Sequence, residues 1–241
     1  MNQSQSGQWP FVMIAMLLLN ATDSTQACGL TPPIGPNGLP TICHGDDSGL
    51  RFRAGLTFGG TDTRIKIGGR KGDLLQTASM VTVDAMPLER LSLSLSGGAS
   101  IGGYFKYGGV RYDLAPGPIG GVGASYLLLG KNLPFIHLSM TLSLSQATAI
   151  APKGGESSFT SKDWRVGAAF GKTFGTRAAP FIVARYFGGG TDWAMVGKGA
   201  DAYRYHAGVG SAFGVTGQVD VFVEAALLGE RRATLGIGYL F

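Results

Sequence analysis

Charged side chains are scarce in this chain. Asp, Glu, Lys and Arg make up 15% of its 241 residues, against about 25% in ordinary globular domains. Apolar residues reach 44% and the mean hydropathy is +0.17. That excludes a disordered acidic or basic chain, which stays unfolded through high charge and low hydrophobicity. Cysteine is nearly absent, at two residues, which excludes a disulfide-dense scaffold. Apolar runs are short. Phe11 to Leu19 has nine residues, and a membrane-spanning helix needs about 20. After residue 50 no stretch shows the 3.6-residue period of an amphipathic helix, which excludes a helical bundle or a coiled coil. Glycine, by contrast, is abundant: 40 residues, against a usual share of about 7%.

The run Phe11 to Leu19 suits the apolar core of a secretory signal, and small residues follow at Thr25-Gln26-Ala27. Residues 1–10 carry no Lys or Arg, a departure from the usual signal. We read 1–27 as a signal peptide. Cys28 and Cys43 lie just behind it. In an oxidising compartment a bridge between them closes a short loop, worth about 3 kcal/mol in the chain-entropy model. The rival reading is lipid modification of Cys28. His44 beside Cys43 lacks the second ligand pair that a zinc site needs, so no metal and no cofactor is expected. Four prolines between Thr31 and Pro40 preclude helix and sheet, so residues 28–49 read as an extended arm.

From Leu50 on, the period is two. Leu50, Phe52, Ala54, Leu56 and Phe58 alternate with Arg51, Arg53, Gly55, Thr57 and Gly59, and Leu91 to Ile101 alternates with Ser92 to Ser100. Alternate residues of a strand point to opposite faces. Each segment thus has an apolar face and a face of Gly, Ser, Thr and occasional charge. The runs are ten to fourteen residues long, about what a tilted strand needs to cross a bilayer. We count ten strands, near 50–60, 73–85, 90–102, 117–129, 134–147, 163–174, 179–189, 202–214, 219–229 and 232–241; eight is the alternative. Short turns alternate with longer connections at 61–72, 103–116, 148–162 and 190–201. The fold class is an all-β, antiparallel, up-and-down transmembrane barrel.

The last strand ends in Phe241, with Leu235, Ile237 and Tyr239 at alternate positions before it. Here the chain resembles the bacterial outer-membrane β-barrel proteins, whose closing strand ends this way. The resemblance implies an outer-membrane location, a periplasmic arm at 28–49, and contact with outer-membrane lipids and lipopolysaccharide. It also implies that the barrel-assembly machinery reads the closing strand as its signal. It names no activity.

Alternation places Arg51, Arg53, Arg165, Arg185, Arg204, His206, Asp220 and Glu224 toward the lumen, with Asp84 near one end. Arginines outnumber carboxylates in this set. Buried charges need partners, so the set reads as a salt-bridged plug or as an arginine-lined constriction that favours anions. Enzyme chemistry finds little support. Gly98-Ala99-Ser100-Ile101-Gly102 matches G-x-S-x-G in letters but lies on a strand rather than at a strand-to-helix elbow. Asp201 and His206 are five apart, on opposite faces of a strand that contains both. Arg64, Lys66, Arg70, Lys71, Lys106, Arg111, Lys153 and Lys198 fall in the long connections, where they can meet lipid phosphates. The segment Tyr104 to Tyr112, which mixes aromatics with cations, reads as a surface-recognition loop. No basic stripe with interleaved aromatics suggests nucleic acid. The expected role is structural or interactional, with a narrow pore as the alternative and a lipid-modifying enzyme as the third reading.

Overall fold

A computed structural model describes residues 50–241, apart from 89, 130–133, 175–177 and 217. Residues 1–49, read above as a signal peptide and an arm and holding both cysteines, lie outside the described residues. The strands are β1 (Arg51–Ile67), β2 (Arg70–Leu88), β3 (Leu91–Tyr107), β4 (Val110–Leu114), β5 (Gly117–Leu129), β6 (Phe135–Ile150), β7 (Glu156–Gly171), β8 (Ala178–Trp193), β9 (Gly197–Asp201), β10 (Tyr205–Gly214), β11 (Val219–Gly229) and β12 (Arg231–Leu240). All belong to one antiparallel sheet, and β1 pairs with β12 from Arg53↔Leu240 to Asp62↔Arg231 to close it. No described residue is helical.

The sheet closes twice. At the rim that carries Leu50 and Phe241, here the chain-end rim, the circuit runs β1-β2-β3-β5-β6-β7-β8-β10-β11-β12, ten strands. Toward the opposite, distal rim the β11–β12 hairpin stops short. There β9 passes over it and pairs directly with β1, through Ile65↔Asp201 to Ile67↔Gly199. With β4 replacing β5 between β3 and β6, this upper circuit has eight strands. The barrel therefore narrows into a collar, and an eight-stranded ring is just wide enough for side chains to fill.

The four connections expected to be long are mostly strand. Their residues continue the alternation with its polarity reversed. In β1, Phe52, Leu56 and Phe58 face outward while Arg53 and Thr57 face in. Past Gly60 the apolar side turns inward: Ile65 and Ile67 are buried while Asp62, Arg64 and Lys66 are exposed. The same exchange puts Phe105 inside and Lys106 outside, and Trp193 inside and Asp192 outside. An outer face that is apolar below and charged above is what a wall bounded by lipid below and water above requires. Two of the distal turns are Gly68-Gly69 and Gly108-Gly109, with φ of 54° and 83°, and 59° and 83°. Positive φ at both central positions is the type I′ geometry that continues the strand twist, and glycine adopts it at no steric cost.

In β3 the inner phase changes at a bulge. Thr77 pairs with Gly102 and Ala78 with Ser100, which leaves Ile101 without a partner in the register. Below it the even residues Ser92 to Ser100 face in; above it Phe105 does.

Candidate functional site: the filled lumen

Three layers fill the lumen. Near the chain-end rim, Arg53 is 1% exposed. It donates from Nε and Nη2 to both oxygens of Asp220, at 3.0 and 2.6 Å, and from Nη1 to Asp84 at 3.2 Å. Its guanidinium lies flat across Gly238, where any Cβ would overlap it. Leu127, Phe135, Phe181, Val183 and Phe222 pack beside this cluster as an apolar layer. Phe181 and Phe222 likewise lie over glycines, Gly210 and Gly236. The glycines of the inner wall thus make room for rings and guanidinium groups from across the lumen.

Above this layer runs a chain of ion pairs. Arg185 donates to both oxygens of Glu224, at 2.5 and 2.8 Å, and to His206 Nε2 at 2.8 Å. Arg165 Nη1 lies 3.4 Å from the other ring nitrogen, Nδ1. Nδ1 faces Glu230 Oε1 at 3.6 Å. Arg165 grips both oxygens of Glu230, at 2.6 and 3.1 Å, donates from Nε to Asp163 at 2.5 Å, and lies 4.9 Å from the Phe187 ring centroid. Arginine suits such sites because its planar fork meets carboxylates with two bonds at once.

The collar is closed by an apolar cluster of Ile65, Ile67, Leu74, Phe105, Leu114, Phe159 and Trp193. Phe105 and Tyr112 meet Trp193 edge-on, with centroids 5.4 and 4.8 Å apart. Between this cluster and the ion pairs lies a cavity of about 140 Å³ lined by Thr63, Ser161, Asp163, Asp201, Glu230 and Arg232, among others. Asp201 sits in the collar, above the apolar band. Burial, with Asp163 and Glu230 nearby, pushes its carboxyl up to about 6; Arg165 and Arg204 oppose the shift.

The structure brings Arg53, Asp220 and Asp84 into one cluster, and Arg165, Arg185, His206 and Glu224 into the other. Arg51 is half-buried at the chain-end rim, opposite Met86. Arg204 departs from expectation. It lies in the link between β9 and β10 and is exposed on the outer wall, because that link interrupts the strand and its alternation. The same interruption turns Asp201 inward, on the same side as His206, rather than opposite it. The arginine excess also fails. Within the lumen Arg51, Arg53, Arg165, Arg185 and Arg232 face Asp84, Asp163, Asp201, Asp220, Glu224 and Glu230. Asp163 and Arg232 share the phase of Arg165 and Gly238, so alternation could have found them. Glu230 sits in a turn, where alternation is silent.

The segment Tyr104 to Tyr112 is not an irregular loop. It is a hairpin whose Phe105, Tyr107 and Tyr112 pack into the collar cluster. Ser100 is buried in the strand and accepts from the Gly117 amide at 3.1 Å, with no helix after it. His137 is buried on the inner face of β6. Leu235, Ile237, Tyr239 and Phe241 are exposed on the outer face. Among the collar cations, Arg64 pairs with Asp73 and Arg111 with Asp113, all four exposed. Among the described residues no cluster of His, Cys, Asp and Glu could hold a metal ion.

No protein-family model matches the chain, and no curated protein does. Several solved outer-membrane barrels are similar in strand arrangement. The outer membrane protease OmpT of Escherichia coli is 14% identical, with a TM-score of 0.46, over 79% of this chain and 97% of that one. The translocator domain of autotransporter NalP from Neisseria meningitidis is 12% identical, with a TM-score of 0.46, over 80% and 89%. The transport unit of autotransporter AIDA-I from Escherichia coli is 12% identical, with a TM-score of 0.45, over 82% and 93%. No residue role is carried over from any of them.

Proposed function

We propose that this protein is a closed, non-conducting barrel of the bacterial outer membrane, a structural wall element whose collar of hairpins meets the surroundings. One observation carries the reading. The lumen is blocked by an apolar layer toward each end, with paired charges and one cavity of about 140 Å³ between them. An ion would have to pass the Trp193–Phe105 cluster and then displace bidentate arginine pairs. The anion-selective pore loses its footing, because carboxylates slightly outnumber arginines inside. The partners that fit are outer-membrane lipids and lipopolysaccharide around the wall, and the barrel-assembly machinery during insertion.

The test is single-channel current from full-length mature protein in a planar bilayer, with folding checked by a heat-dependent gel shift. The expected result is silence. Steady openings from folded protein would overturn the closed reading and make the distal cluster a gate.

A further inference from the structure

The outer wall carries a groove that the closed-barrel reading does not use. It has a volume of about 770 Å³ and runs across β3, β5, β6, β7 and β8. Its walls are apolar, with Leu95, Val122, Leu142 and Leu144 all at least 45% exposed. Its floor is low because Gly120 and Gly190 carry no side chain there, while the Trp164 ring covers Gly188. A groove of this size is ample for part of a small ligand.

Two cations, Lys162 and Arg204, stand on this groove, and both are exposed. Lys162 is the first charge above the apolar outer face of β7, following Phe170, Val166 and Trp164. Arg204 is the more telling. Its carbonyl accepts from the Phe187 amide at 2.8 Å, so it stands next to a residue buried in the lumen. A regular strand would send Arg204 inward with Phe187. The break between β9 and β10 sends it outward instead. A basic residue on the lipid face is tolerated near the interface and becomes favourable where an anion meets it.

We propose that this groove seats an anionic lipid of the surrounding leaflet, with an acyl chain on the glycine floor and its phosphate between Lys162 and Arg204. The proposal rests on the barrel standing in a bilayer. Charge complementarity selects the headgroup, and the apolar walls select the chain.

The experiment uses full-length mature protein folded in detergent, with native mass spectrometry of bound dimyristoyl phosphatidylglycerol or dimyristoyl phosphatidylcholine. The wild type should retain the anionic lipid roughly tenfold better than the zwitterionic one. The K162Q/R204Q double variant should lose that preference. Gly190→Leu should lower retention of both lipids by filling the floor, since the nearest atom to a side chain there is a backbone oxygen at 3.6 Å. A heat-dependent gel shift confirms that each variant is folded. Equal retention of the two lipids by the wild type, or an unchanged preference in K162Q/R204Q, would overturn the site. Failure of the wild type to fold in lipid or detergent would overturn the membrane reading itself, and the lipid site with it.

Discussion

Arg165, on β7, holds both carboxylate oxygens of Glu230, which sits in the turn between β11 and β12. That turn ends the short hairpin over which β9 crosses to β1. The pair therefore ties the far wall of the barrel to the place where its strand number changes.

Removing one partner of a buried pair strands the other charge, a loss of about 3–5 kcal/mol. Glu230→Gln should cost that much, because Asp163 alone then faces Arg165. The check is the urea concentration at which the folded, heat-modifiable band disappears. An unchanged midpoint would show that the pair contributes nothing to stability.

Asp201 gives a pH dependence. Its carboxyl titrates near 6 in the folded protein, against an ordinary value of 3.8. The folded state thus binds the proton more tightly than the unfolded one. The contribution of Asp201 to stability is full below about pH 4 and falls as pH rises through 6, by roughly 1–2 kcal/mol after solvent screening. Asp201→Asn should flatten that slope and stabilise the protein at pH 7. Unfolding midpoints measured from pH 4 to pH 8 decide the matter.

Gly238→Val should disrupt the chain-end cluster, because the added atoms overlap the Arg53 guanidinium and push it off Asp220. A loss of at least about 3 kcal/mol is expected. Gly97→Val is the matched control: nothing lies within 4 Å of its added Cβ, and its effect should stay within about 0.5 kcal/mol. Equal losses for the two would mean that glycine acts here through backbone entropy rather than through space.

Phe241 exchanges backbone hydrogen bonds with Phe52, at 3.0 and 3.3 Å, and so completes the β1–β12 seam. Its ring is exposed on the outer face and stacks on Tyr239. Phe241→Ala should keep the seam bonds yet reduce the assembled protein several-fold in outer-membrane fractions. Normal amounts would remove the closing strand's role as an assembly signal.

Alternation made the lower wall legible. Arg53, Arg185, Asp220 and Glu224 follow from counting residues in steps of two. The collar was not legible by the same rule, because the apolar face exchanges sides past Gly60 and the exchange reads as a loop. Single-residue irregularities hid the rest. The bulge at Ile101 swaps the face of Phe105, the β9–β10 break swaps that of Arg204, and Glu230 lies in a turn. Each shifts the phase by a local backbone feature that composition does not record. The ten-strand count is that of the lower ring, while the eight-strand circuit of the collar comes from β4 and β9, whose residues read as loop in the sequence.

The two closures of the sheet make this barrel behave like a cask with a separate hoop. Its stave joint, β1 against β12, can part below Asp62 while β1 stays bound to β9 above. A breach in the lower wall then leaves the top ring intact and the Trp193 stopper in place. The molecule can loosen at its base, where Leu50 and Phe241 lie, without opening at the top.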